Sequence, residues 1–247
     1  MESPPRIAER GDKTLPNLGT TVRDLVFERP SAARVFETLG IDYCCGGSQR
    51  LAEVCRTVNR STEEVCAALQ KVESSPAEKD WRNASLTELA QHIVDKHQAF
   101  PQAEINRVKA PIAKVASAHG KSHPEVAGLQ LILEELSAEL KAHMMKEDER
   151  LFPYSGEMEE AARVNRRPPA PMFGTVQNPV AAVIMDHEAA DQAFEKMREI
   201  TKGYTVPLEG CASYQLLPGF AADLHQHIYL ENNILFPRSV ELESSFS

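Results

Sequence analysis

Two stretches of the chain, HMMKEDERLFP at 143–153 and HIYLENNILFP at 227–237, share the skeleton His-x3-Glu-x3-Leu-Phe-Pro. On an α-helix, residues four apart lie on one face, about one turn apart. His143 and Glu147 therefore project together, as do His227 and Glu231. An imidazole and a carboxylate from one turn can hold a single metal ion, or the carboxylate can reach across to a second. Taken singly, such a pair is an ordinary surface ion pair. The repetition changes the balance, because two facing helices of this kind bring two imidazoles and two carboxylates to one place.

Further nitrogen donors must come from other helices. His97 lies on a stripe with Leu89, Ile93, Phe100, Ile105, Val108 and Ile112, which turns it inward. His187, in VAAVIMDHEAA, has Val180, Val183 and Ile184 one and two turns back on the same broad face. The resulting set is His97, His143, Glu147, His187, His227 and Glu231. Mixed nitrogen and oxygen donors of this kind suit a pair of iron ions bridged by carboxylates, with positions left open for a small molecule. Burying so many polar groups without a cation would be costly. His119 and His123 flank a turn, GKSHP, and read as solvated. His225 is two residues from His227 and faces away from it. Asp186 and Glu188 read as a solvated acidic pair, with Glu188 open to a supporting role.

The elements that would position these side chains are helical throughout. Residues 1–17 are polar and read as a flexible tail. Residues 18–73 hold four short helices, one closing at Gly40 and one opening on the capping box STEE. Residues 74–82 form a linker by composition. From 83 to 240 the pattern is long and helical, with further capping boxes at SLTE and SHPE and a helix start at Asn178-Pro179. The Pro-rich stretch 153–177 is the longest interruption, and Leu-Phe-Pro reads as a helix stop in both repeats. No alternating strand pattern with hairpin turns is found. The fold class is therefore all-α, a small helical domain followed by an antiparallel four-helix bundle with one long crossover.

The net charge is −9 without a long basic block, which argues against nucleic acid and anionic membranes as partners. No run of apolar residues is long enough for a membrane span or a secretion signal, so a cytoplasmic protein is expected. The odd number of cysteines, 5, with Cys44 and Cys45 adjacent, points to free thiols rather than a disulfide framework. Neighbouring cysteines bond each other only with strain. In IDYCCGGSQRLAEVC, a helix capped at Ser48 would place amide groups near both thiols and favour thiolates. Such thiolates could exchange electrons, bind an iron ion or bond a partner; the plainer alternative is an ordinary turn. Cys55, Cys66 and Cys211 sit among Leu, Val and Ala as packing residues.

These motifs resemble the hemerythrin-like di-iron proteins for repair of iron centres, the YtfE/ScdA-like family, from about residue 18 to 238. IDYCCGGSQRLAEVC looks like the family's N-terminal domain, and HMMKEDERLFP, DHEAA and HIYLENNILFP look like its metal-ligand segments. His143, Glu147, His187, His227 and Glu231 match ligand positions directly. In the first helix the best-matched column falls on Gln98, and His97 stands one position earlier, with His92 in reserve. The resemblance implies a protein that restores iron–sulfur clusters damaged by oxidative or nitrosative stress, through iron donation or redox at a di-iron centre. It links Cys44 and Cys45 to redox and iron transfer. Damaged iron–sulfur proteins, an electron donor and the gases NO or O2 are the implied partners, and a homodimer stays open. A di-iron nitric oxide reductase and a reversible O2 or NO binder are the alternatives.

Overall fold

The computed structural model describes residues 17–72, 79–205 and 212–246, without side chains at 97–103 and 212–213. Residues 1–16 of the predicted tail, 74–78 of the predicted linker and Cys211 lie outside the described residues. The chain divides into two units, Met1–Lys79 and Asp80–Ser247. No described helix is long and apolar enough to cross a membrane.

The first unit contains α1 (Val22–Glu28), α2 (Ala32–Leu39), α3 (Leu51–Thr57) and α4 (Thr62–Lys71). Thr21 and Ser61 cap α1 and α4 by accepting the amides of Asp24 and Glu64, and Gly40 ends α2 in the left-handed conformation. Val22, Phe36, Leu51, Val65 and Leu69 fill the core. One sequence expectation fails here. The helix expected to start at Ser48 starts after Arg50, because residues 49–51 are drawn out beside α1. Val22 donates to the Gln49 carbonyl and Leu51 to that of Thr20, each at 3.0 Å, and Thr21 and Arg50 form an antiparallel bridge.

The second unit is built from four long rods. The first joins α5 (Leu86–His92) to α6 (Ala99–His119) through a π-helical turn at Ile93–Gln98. The second joins α7 (Pro124–Lys146) to α8 (Phe152–Arg163) through a π-turn at Glu147–Leu151. The third, α9 (Gln177–Ile200), is α-helical throughout, and the fourth joins α10 (Leu217–Leu230) to α11 (Phe236–Ser244) through a π-turn at Glu231–Leu235. Helix α6 packs on α7, α7 on α9, and α10 on both α6 and α9, while α8 packs on α5 and α11.

Packing follows the apolar stripes. On α7, Val126, Leu129, Leu133, Leu136 and Leu140 recur every three or four residues and are buried. Each such side chain contributes about 1.5–3 kcal/mol on leaving water. Also buried are Val108 and Ile112 of α6, Val183, Phe194 and Met197 of α9, and Phe220, Leu224 and Ile228 of α10. Carboxylates from distant segments close two helix starts. Glu159 accepts the amides of Leu86 and Thr87 at 2.7 and 3.1 Å, and Glu243 accepts that of Val176 at 2.9 Å.

Leu-Phe-Pro does not stop either helix. The amide of Phe152 reaches back five residues to the Glu147 carbonyl, and that of Phe236 to Glu231. This wider turn carries the backbone past the proline, whose ring would clash with the carbonyl four residues back in a regular α-helix. The stretch read as a loop from 153 is therefore helical as far as Arg163, and the last rod runs beyond 240 to Ser244.

Candidate metal centre

Helix α7 carries His143 on the same stripe as Leu136 and Leu140, and Glu147 follows as the first residue of the π-turn. Helix α10 repeats this with His227 and Glu231. Helix α9 adds His187. One donor atom from each of these five residues lies within 4.8 Å of all the others. The five side chains are almost wholly buried, with 2% exposure for His143 and His187 and none for Glu147, His227 and Glu231.

The contacts show one shared interior point rather than separate ion pairs. His143 Nε2 lies 3.3 Å from Glu147 Oε1. Both His187 Nε2 and His227 Nε2 approach Glu231 Oε2, at 3.1 and 3.2 Å. The alignment of these contacts does not make hydrogen bonds, so Nε2 of His143 and His187 and both Glu231 oxygens are buried without one among the described residues. Each polar atom left in that state costs about 1–3 kcal/mol. A cation placed among them offsets that cost, so the donors fit a metal that accepts both nitrogen and oxygen ligands.

Outer contacts fix which nitrogen faces inward. The Nδ1 of His187 meets the Asn232 Oδ1 at 3.0 Å. The Nδ1 of His143 lies 3.4 Å from Asp186 Oδ2, which also accepts from Lys146 Nζ at 2.7 Å. With Nδ1 engaged as a donor, Nε2 keeps its lone pair for the interior. Phe236 stacks on His187 with a 7° angle between the ring planes. A narrow cleft lined by Leu136, Leu140, Ala190, Leu224 and Ile228, with Glu139 and Asp186 among its walls, reaches His143 and His187.

Electrostatics keep His143 and Glu231 in their metal-binding forms. Burial, then the neighbouring His187, pushes the His143 imidazole down to about 4, so it is neutral near pH 7. For Glu231 burial acts upward, but the nearby His227 and His187 outweigh it and hold the carboxyl well below its usual range.

His92, His123, His225 and Glu188 lie outside the five-donor cluster. The His97 backbone lies in the first π-turn, and its side chain is outside the described residues, as is that of Gln98. His92 stacks on Trp81 with ring centroids 4.0 Å apart. His123 pairs with Glu125 at 2.9 Å, and His225 lies 3.4 Å from Asp191. Glu188 is exposed. Asp186, read from sequence as solvated, instead serves the histidine of the neighbouring helix. Asn232 gave no sequence signal, since its importance depends on how α9 crosses the last rod.

Three buried histidines and two buried glutamates inside a four-rod bundle define a hemerythrin-type cation-binding protein. Residues 103–239 match the Hemerythrin HHE cation binding domain, and residues 18–73 match ScdA_N, a domain of unknown function. The chain is 32% identical over 221 residues to the Iron-sulfur cluster repair protein YtfE of Escherichia coli O157:H7, covering 88% of this chain and 94% of that protein. The same-named proteins of Shigella boydii serotype 4 and Escherichia coli K12 are each 31% identical, with the same coverage. The chain belongs to this YtfE family of iron–sulfur cluster repair proteins.

Proposed function

We propose that the chain repairs iron–sulfur clusters damaged by oxidative or nitrosative stress, working from a carboxylate-bridged pair of iron ions in the bundle. The convergence of His143, Glu147, His187, His227 and Glu231 on one buried point supports this reading most directly. His97 is assigned as the sixth ligand, from the first rod. When bound, iron supplies a transferable cation and one-electron redox chemistry. Glu147 and Glu231 stand between the histidines of different helices and are suited to bridging. The apolar cleft limits water at the centre, while Asp186 and Asn232 keep two imidazoles oriented. Damaged iron–sulfur proteins are the proposed clients, and a cellular reductant the electron source.

The test mixes iron-loaded protein with an enzyme whose iron–sulfur cluster has lost iron. Client activity is expected to return in proportion to the iron that leaves the bundle. Iron retained while NO is converted to N2O over many turnovers would instead make the protein a nitric oxide reductase.

A further inference from the structure

Two neighbouring rods meet at the outer edge of the centre through one shared carboxylate. His143 and Lys146 stand three residues apart on α7 and so share a face. On α9, Asp186 directly precedes His187, so one turn of that helix gives an imidazole to the centre and a carboxylate to α7. The Asp186 Oδ2 accepts from Lys146 Nζ at 2.7 Å, and the same oxygen lies 3.4 Å from His143 Nδ1. An N–H to oxygen bond usually closes to about 2.9–3.0 Å, so the lysine holds this oxygen short and the imidazole holds it long. His187 differs, because its Nδ1 meets the uncharged amide oxygen of Asn232 at 3.0 Å.

The pairing has its consequence at the centre rather than in folding. The side chain of Lys146 is 46% exposed and that of Asp186 30%, and ion pairs this open to solvent add little to stability. His143 is buried, and its Nε2 lies 3.3 Å from Glu147. A carboxylate on the outer nitrogen of a metal-binding imidazole raises the basicity of the inner one. Lys146 opposes that effect twice. It draws the carboxylate charge to itself, and it adds a positive charge at the edge of the site, which repels a bound cation. Asp186 stands in the wall of the cleft that reaches His143, with solvent on one side, so its carboxylate can shift toward the imidazole.

We propose that Lys146 is a positioning residue that keeps the bound metal exchangeable by withholding the Asp186 carboxylate from His143. This rests on the reading of the bundle as an iron centre. Without the ammonium group, Asp186 closes on His143 Nδ1, whose proton stays in place, and the imidazole becomes the stronger donor at Nε2. The cation is then held more tightly and released more slowly. A purely structural role predicts the opposite sign. If the ion pair served only to fasten α7 to α9, its loss would loosen the bundle and weaken binding.

The experiment loads the full-length protein with iron(II) in the absence of oxygen, adds an excess of a chromophoric iron(II) chelator and follows the rate of iron loss. Lys146→Met keeps the aliphatic stem and should slow release roughly three- to tenfold. Lys146→Arg keeps a cation on Asp186 and should release iron at close to the parent rate. In an Asp186→Asn background the carboxylate charge is gone, so Lys146→Met should have a clearly smaller effect there. Release from Lys146→Met as fast as from the parent, or faster, overturns the proposal. So does Lys146→Arg as slow as Lys146→Met. Equal slowing in both backgrounds would remove the route through Asp186 and overturn the positioning role. If the parent binds no iron, or if Glu147→Ala and Glu231→Ala both keep theirs, the iron-centre reading itself fails and the role of Lys146 falls with it.

Discussion

Ser155 and Ser239 hydrogen-bond to each other at 3.1 Å, both buried, at equivalent places in the two repeats. Each follows its Leu-Phe-Pro by two residues, so the repeated phrase continues as Leu-Phe-Pro-x-Ser. Ser155 also bonds the Leu151 carbonyl at 2.9 Å. The π-turns carry both rods past their prolines, and this serine pair joins α8 to α11 beyond them. Replacing Ser155 by alanine leaves the Ser239 hydroxyl buried without its cross-helix partner. The expected cost is about 1–3 kcal/mol in urea unfolding, and the double alanine variant should cost less than the sum of the singles. Strict additivity would show that the two hydroxyls do not support each other.

Glu147 and Glu231 are buried beside the histidines and have no apolar role. Glu147→Ala and Glu231→Ala are each expected to cut bound iron sharply, as read by elemental analysis of protein loaded under reducing conditions. Both should stay helical, because the apolar stripes of all four rods are unchanged. Iron content equal to the parent in either variant would take that carboxylate out of the centre.

Asn232 meets the centre at His187 Nδ1, 3.0 Å from its Oδ1. Asn232→Ala should weaken metal binding by about 10–100-fold, because the imidazole loses its tautomer and its orientation. Asn232→Asp keeps the acceptor and should recover most of that affinity. Matching losses in both variants would point to packing rather than to the hydrogen bond.

The bundle and its five-donor cluster were legible because their signal is periodic. The apolar residues of α7 recur at the spacing that also places His143 and Glu147, so one pattern gives both the helix and its inward face. The π-turns were not legible. Proline reads locally as a stop, and only the five-residue hydrogen bonds from Phe152 and Phe236 show how the helices pass it. The same limit applies to Asp186, whose partner lies on another helix. It also applies to Ser48, whose capping role yields to the pairing of residues 49–51 with α1. Each miss is a case where a contact distant in sequence overrides a local preference.

The first rod yields a prediction that separates three neighbouring residues. His97→Ala should lower iron occupancy, whereas Gln98→Ala should leave it near the parent value. His92 stacks on Trp81, the chain's only tryptophan, so His92→Ala should change tryptophan emission without loss of iron. Iron loss in Gln98→Ala with full retention in His97→Ala would move the sixth ligand by one position.

Acid should destabilise the metal-free protein through the centre itself. Burial, then His187, lowers the His143 value from 6.5 to about 4 in the folded chain. Between those values the unfolded chain binds the proton and the folded chain does not, so lowering the pH favours unfolding. This contribution is level above about pH 6.5 and falls by on the order of 3 kcal/mol as the pH approaches about 4. Glu231 acts in the same direction at lower pH. Its carboxyl is held down by His227 and His187, so the stability it contributes is present above the ordinary carboxylate range and is lost as the pH falls below it. Urea unfolding of the metal-free protein at several pH values between about 7.5 and 4.5 should show the decline, and His143→Gln should flatten it. An equal slope in the parent and in His143→Gln would mean that this imidazole is not what makes the bundle sensitive to acid.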